Sequence, residues 1–230
     1  ADDVKKILVA LDVREETIEQ AIEDGCDLIV AHHPLIFRAI KAVRTDDATG
    51  RKIARLIKAG VAVFAAHTNL DSAAGGVNDV LAERLGLSDV APLAEGTADG
   101  EPGLGRIGFL SAALSLEEFA ALVKKSLGVS SLRVVRSGDR AVRRVALCGG
   151  SGVEFIGKAA AKGADVYVTG DVRYHDGERA AALGVHVIDA GHFATEQPIV
   201  ARLAARLRKE LGAGVEIIAE TKSSDFFRVY

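Results

Sequence analysis

The chain has 230 residues, a hydrophobic content of 49% and a formal net charge of -3 from 29 basic and 32 acidic residues. That length allows one large or two small domains with ample apolar material for a core, and the near-balanced charge offers no global attraction to nucleic acid. No apolar run approaches the roughly 20 residues of a membrane span and nothing at the start resembles a signal peptide, so a cytoplasmic protein is expected.

Lys6 to Val13 alternates as a strand, and Ile18, Ala21 and Ile22 mark a helix over Glu15 to Glu23 that Gly25 stops. A strand follows at Leu28 to Val30, a helix at Arg51 to Ala59, a strand at Val61 to Phe64 and a helix at Val77 to Leu85, with Gly60 and Gly86 as stops. Leu93 to Gly105 is rich in Gly, Pro, Ala and acidic residues and lacks periodicity, which predicts a linker between a domain over 1–94 and a second over 95–230. Beyond it come a strand at Ile107 to Leu110 and a helix opened by the capping box Ser115 to Glu118. Strands at Leu132 to Val135, Arg144 to Cys148, Asp165 to Thr169 and Val185 to Ile188 follow. They alternate with helices at Glu154 to Lys162 and Gly177 to Leu183, before a long amphipathic helix from about Ala194 to Leu211. The alternation predicts an α/β fold whose sheets are largely parallel and covered on both faces. The chain contains no Met and its first strand begins at Lys6, from which a missing natural start is expected.

Three short clusters concentrate the metal-binding side chains: Ala31-His32-His33-Pro34, His67-Thr68-Asn69-Leu70-Asp71 and Gly191-His192-Phe193-Ala194-Thr195-Glu196. Each follows an apolar strand, and open α/β sheets build their sites at strand C-terminal ends. Pro34 keeps His33 out of the helical region, so His32 and His33 are expected to diverge and serve two ions, or an ion and an orienting partner. His192 and Glu196, four apart on a helix, share a face. Asp71 and Glu196 each bring two oxygens, and five donors exceed the usual three of a single catalytic zinc, so the count favours a dinuclear centre. Two divalent ions per chain are expected, with Zn, Mn, Fe, Co and Ni all compatible with imidazole and carboxylate. His67 is a ligand or orients one, whereas His186, inside a strand, reads as structural.

Two further segments bear on chemistry. Gly149-Gly150-Ser151-Gly152 lies between a strand and a helix, where its amides could cradle an anion or simply make a tight turn. Asp171, Arg173 and His175 end another strand and could handle a proton or a phosphate, or form surface salt bridges. Cys26 and Cys148 fit no metal or disulfide spacing and read as buried hydrophobes, with a nucleophile role open only for Cys148.

AHHP, HTNLD, GLGRIG, CGGSG, TGDVRYH and DAGHFATE, in that order over nearly the whole chain, resemble the Nif-three-like dinuclear metal centre proteins, often labelled GTP cyclohydrolase I type two. The resemblance implies two interlinked α/β domains with a metal pair between them, a toroidal homohexamer, and His32, His33, Asp71, His192 and Glu196 as ligands. Family members commonly carry a Trp-Asp-Asn-like segment before the first strand, which this chain lacks, and the insertion domain of long members is also absent. The implied activity is metal-dependent hydrolysis of a nucleotide or related phosphate-bearing small molecule. His67, His175 and Asp171 are candidates for proton handling, and Arg173 with Gly149, Gly150, Ser151 and Gly152 for phosphate. The alternative is a non-catalytic hexameric scaffold or regulator that binds protein partners or nucleic acid, for which Arg133, Arg136, Arg140, Arg143 and Arg144 form the only dense basic group.

Overall fold

A computed structural model describes residues 3–96 and 103–229. The chain divides into two compact units, one made of 1–70 and 199–224 and the other of 71–198 and 225–230.

In the first unit, β1 (Lys6–Ala10), β2 (Leu28–Ala31) and β3 (Ala62–Ala65) run parallel. The continuous apolar character of β1 and β2 follows from burial: Leu8, Val9, Ile29 and Val30 are all enclosed, whereas β3 is more exposed. α1 (Glu15–Glu23) turns Ile18 and Ala21 inward, and α2 (Ala48–Ala59) contributes Leu56 to the same core. The Asp47 carboxylate accepts the Gly50 amide at 2.7 Å to start α2, and left-handed Gly60 ends it. The register aligns Ala10 with Ala31 and Ala31 with Ala65, so the three strands finish level.

After α3 (Thr68–Ser72) and α4 (Val77–Arg84), the second unit builds a mixed sheet. It contains β4 (Ser88–Pro92), β5 (Arg106–Leu114), β6 (Arg133–Val135), β7 (Val142–Ser151), β8 (Val166–Gly170) and β9 (His186–Asp189), in the order β4-β5-β7-β8-β9-β6. β7, β8 and β9 are parallel, whereas β4 with β5, β5 with β7 and β6 with β9 pair antiparallel. α5 (Leu116–Leu127) opens with the expected reciprocal cap between Ser115 and Glu118 and buries Phe119 and Val123 beside Leu147 and Ile188. α6 (Ile156–Ala161), α7 (Tyr174–Ala182) and α8 (His192–Glu196) complete this unit. The chain then returns: α9 (Pro198–Leu211) and β10 (Glu216–Ala219) belong to the first unit, where β10 pairs parallel with β1 and makes the order β10-β1-β2-β3.

The α/β class, the interlinking and most elements match the sequence expectation; four details differ. The units part at 70/71 and 198/199 rather than at 94/95. The expected linker instead joins two paired strands, with the Leu93 and Ala94 amides donating to the Gly105 and Leu104 carbonyls; its middle, 97–102, lies outside the described residues. The expected long C-terminal helix is two helices, because Pro198 has no amide hydrogen to continue the first. Only the smaller sheet is wholly parallel.

Candidate metal centre

The level strand ends of the first unit gather Asp12, His32, His33 and His67 at one end of its sheet. The His32 amide donates to the Ala10 carbonyl at 3.1 Å, that of His33 to Leu11 at 2.8 Å and that of Ala66 to Ala31 at 2.8 Å, which ties the emerging segments together. The backbone bends at His32 and His33 instead of staying extended, so the two rings do not diverge as the sequence predicts. Their centroids are 4.9 Å apart, and one ring nitrogen from each of His32, His33 and His67 lies within 4.8 Å of the others.

Orientation is set from behind. The His32 Nδ1–H donates to the Ala66 carbonyl at 2.9 Å and the His33 Nδ1–H to Asp12 Oδ1 at 2.8 Å. A carbonyl and a carboxylate can only accept, so each Nδ1 carries a proton and each ring is oriented with Nε2 turned away from that acceptor. Burial pushes the Asp12 carboxyl up, but its bonds to His33 and Arg14 outweigh this and hold it below the usual carboxylate range. It therefore stays ionised behind His33.

The second unit repeats this arrangement. Ser151 on β7 stands opposite Gly170 on β8, and Thr169 opposite Asp189 on β9, so Gly150, Asp171 and His192 leave neighbouring strand ends. Asp171 adopts φ 56, a left-handed conformation that Asp tolerates better than most residues, and its Oδ2 accepts the His192 Nδ1–H at 2.7 Å. His192 Nε2 then faces Glu196 Oε2 at 3.1 Å, and a Glu196 oxygen lies within 4.8 Å of an Asp71 oxygen. Nε2 and a carboxylate oxygen are both acceptors, so they require a cation between them. Glu196, foremost, and then Asp171 push the His192 imidazole up to about 9 against the opposing effect of burial, so a proton fills that place at neutral pH. A divalent ion would compete for the same position.

Gly150 shapes the floor beneath these ligands. Its φ is +61, and a Cβ there would stand 2.9 Å from Glu196 Cδ and 3.1 Å from His192 Nε2. Only glycine lets the strand pass so close to the ligands. The donor chemistry, the held Nδ1 protons and this cradle all fit hard or borderline divalent ions.

Other predicted residues fare differently. Asp171 acts on His192 through its carboxylate, which makes it an orienting group. His175 lies exposed on α7, paired with Glu178 at 3.1 Å and edge-on to Tyr174, apart from the grouped donors. The Gly149, Gly150 and Gly152 amides donate to Asn78, Thr195 and Thr169 at 2.9, 2.9 and 3.0 Å, so the segment spends these amides on protein acceptors; Gly149, Gly150 and Ser151 are the end of β7. Arg173 is exposed and lines a cavity of about 480 Å³ with Arg133, Tyr174, Val172, Val187 and Asp189. His186 is structural as expected: its Nδ1 accepts the Ser137 amide, and burial lowers its affinity for a proton. Sequence reading missed Asp12. An acid just past the first strand, two residues beyond Ala10, was the available signal.

The family model described as Duf34/NIF3 (NGG1p interacting factor 3) matches residues 1–225. A Clostridium perfringens protein named GTP cyclohydrolase 1 type 2 homolog is 38% identical over 224 residues, covering 97% of this chain and 86% of the relative. A Bacillus subtilis protein of the same name is 31% identical, covering 97% of this chain and 89% of the relative. Among solved structures, a Bacillus cereus protein related to NIF3 superposes with a TM-score of 0.93 at 32% identity, covering 100% of this chain and 90% of that one.

Proposed function

The chain belongs to the Duf34/NIF3 family, and from that premise we propose that it is a dinuclear metal-dependent hydrolase acting on a nucleotide or related phosphate-bearing small molecule. The observation that carries the reading is the grouping of ring nitrogens from His32, His33 and His67 within 4.8 Å of one another, with His32, His33 and His192 each oriented by an acceptor at Nδ1. His32, His33, Asp71, His192 and Glu196 would hold the ions. Paired divalent ions supply a water of lowered pKa and polarise the bond under attack.

The chain's own residues do the rest. Asp12 and Asp171 hold two imidazoles in place through Nδ1–H, and Gly150 keeps a side chain away from Glu196 and His192. His67, beside His32 and His33, is the candidate proton carrier. The cavity beside Arg173 is suited to a ligand with both a ring and an anionic group: Tyr174 offers an aromatic face, Val172 and Val187 an apolar floor, and Arg173 positive charge, while Arg133 is paired with Asp189 on the same lining. Support for a nucleotide comes from the relatives' names as GTP cyclohydrolase 1 type 2 homologs.

Turnover of GTP and a panel of nucleotides and phosphoesters by metal-loaded protein tests this. Activity abolished by Glu196→Gln is expected, and a folded, metal-loaded chain that turns over none of the panel would overturn the hydrolase reading. The nucleic-acid alternative rests on the basic group, and salt-sensitive DNA binding reduced by neutralising Arg133, Arg136, Arg140, Arg143 and Arg144 would favour it. Arg133 pairs with Asp189, Arg136 with Glu117 at 2.9 Å and Arg140 with Asp165 at 4.0 Å, while Arg144 lies over the Phe109 ring. Among the described residues no helix is long and apolar enough to cross a membrane.

A further inference from the structure

We infer that Asn78 is a positioning residue for the metal centre, a clamp that fixes the ligand Asp71 relative to the ligand Glu196; this rests on the metal reading above. Asn78 lies in the first turn of α4 and is fully buried. Its Nδ2 donates to the Asp71 carbonyl at 2.9 Å, and its Oδ1 accepts the Gly149 amide at 2.9 Å. One planar amide thus joins the ligand-bearing end of α3 to the end of β7. A buried Asn with both ends engaged cannot rotate without losing both bonds, each in a setting where an unmade bond is costly.

Gly149 in turn lies next to the other ligand. A Cβ on it would stand 3.0 Å from Val77 Cγ1 and 3.4 Å from Glu196 Cγ, so α4, β7 and α8 meet closely there. The next amide, that of Gly150, donates to Thr195 Oγ1, one residue before Glu196. The path from Asp71 to Glu196 is therefore Asn78, Gly149, Gly150 and Thr195, all hydrogen-bonded or in contact.

The rest of the loop after Asp71 is fixed by neighbours of Asn78. Asp79 accepts the Gly75 amide at 2.7 Å and pairs with the buried Arg106, whose guanidinium also donates to the Ser72 carbonyl at 3.1 Å. Arg106 and Asp79 hold the loop, and Asn78 connects it to the strand under Glu196. The two carboxylate ligands keep their spacing through this amide.

The test compares the parent with Asn78→Ala, Asn78→Ser and the core control Val123→Ala, each titrated with Mn²⁺ and Co²⁺ alone. Melting of the metal-free chains and the visible spectrum of the Co²⁺ forms are recorded alongside. Binding at the position that Asp71 serves should weaken about 10–100-fold in both Asn78 variants, the range found when an outer partner of a ligand is lost, and the Co²⁺ spectrum should change. Val123→Ala should melt lower yet bind and absorb as the parent does. Serine can make only one of the two bonds, so Asn78→Ser keeps the test informative if the alanine variant does not fold. Asn78 variants that melt lower but bind Co²⁺ with parental affinity and spectrum would overturn the inference alone. A parent that binds neither ion would overturn the metal reading, and the inference with it.

Discussion

Gly150→Ala should expel a metal ligand while sparing the fold. The added methyl would stand 2.9 Å from Glu196 Cδ and inside contact with its Oε1, whereas non-bonded carbons sit at about 3.5–4.0 Å. The carboxylate must therefore retreat by roughly 0.6–1 Å at Cδ, on the scale of the contact distances just given. That movement takes it off His192 Nε2, now 3.1 Å away. The backbone contributes separately: at φ +61 an alanine costs about 1–2 kcal/mol relative to glycine. A loss of that size lowers the melting temperature by roughly 2–8 °C in a chain of this length. Metal affinity should fall further, by at least about 100-fold at the Glu196 position, since a ligand rather than its outer partner is displaced. Isothermal titration with Mn²⁺ on folded protein reads the first effect and calorimetric melting the second. If Gly150→Ala binds both ions with parental affinity, Glu196 is not held as a ligand against this strand and the reasoning fails.

Two further outcomes follow from the His192 environment. Its folded value of about 9 lies above the ordinary 6.5, so in the metal-free chain its stabilisation is complete below about pH 6.5 and is lost as pH rises through 9. A displacement that large corresponds to about 3 kcal/mol for an enclosed group. The ring is 36% exposed, so solvent screening reduces the expected loss to about 1 kcal/mol, visible as a falling melting temperature between pH 7 and 10 that His192→Gln abolishes. Asp171→Asn keeps a side chain that tolerates the left-handed φ of 56 and can still accept a bond, but removes the charge behind His192. Chelator competition should show metal affinity about 10-fold weaker, with melting of the metal-free chain changed by less than about 1 kcal/mol; parental affinity would show that the carboxylate does not tune this ligand.

The strand ends that carry the site were legible because apolar runs such as Leu28 to Ala31 and Val185 to Ile188 stop at polar clusters, and the glycine and Ser115 caps fixed the helices between them. What escaped reading depends on distant partners. β4 is exposed along its length and includes Pro92, so its sequence lacks a strand's apolar signature and only pairing with β5 defines it. β10 is four residues long and becomes a strand by returning to β1, across more than 200 positions of sequence. Composition made 93–105 look like a boundary, yet its described ends are tied together by backbone hydrogen bonds. At the site the ligand types were visible, whereas the Ala66 carbonyl behind His32, Asp12 behind His33 and Asn78 behind Asp71 are tertiary neighbours without a local motif. The convergence of His32 and His33 was misjudged for a related reason: Pro34 argued for extended backbone, and the tertiary ties to Ala10 and Leu11 bend it instead.

Metal content per chain, measured by elemental analysis on purified and reconstituted protein and on His192→Ala combined with Glu196→Gln, tests the central claim most directly. The account predicts about two ions per chain in the parent, as a two-metal site requires, with a sharp fall in the double variant while it remains folded. A parent that stays metal-free after reconstitution, or a double variant that still holds two ions, would contradict it.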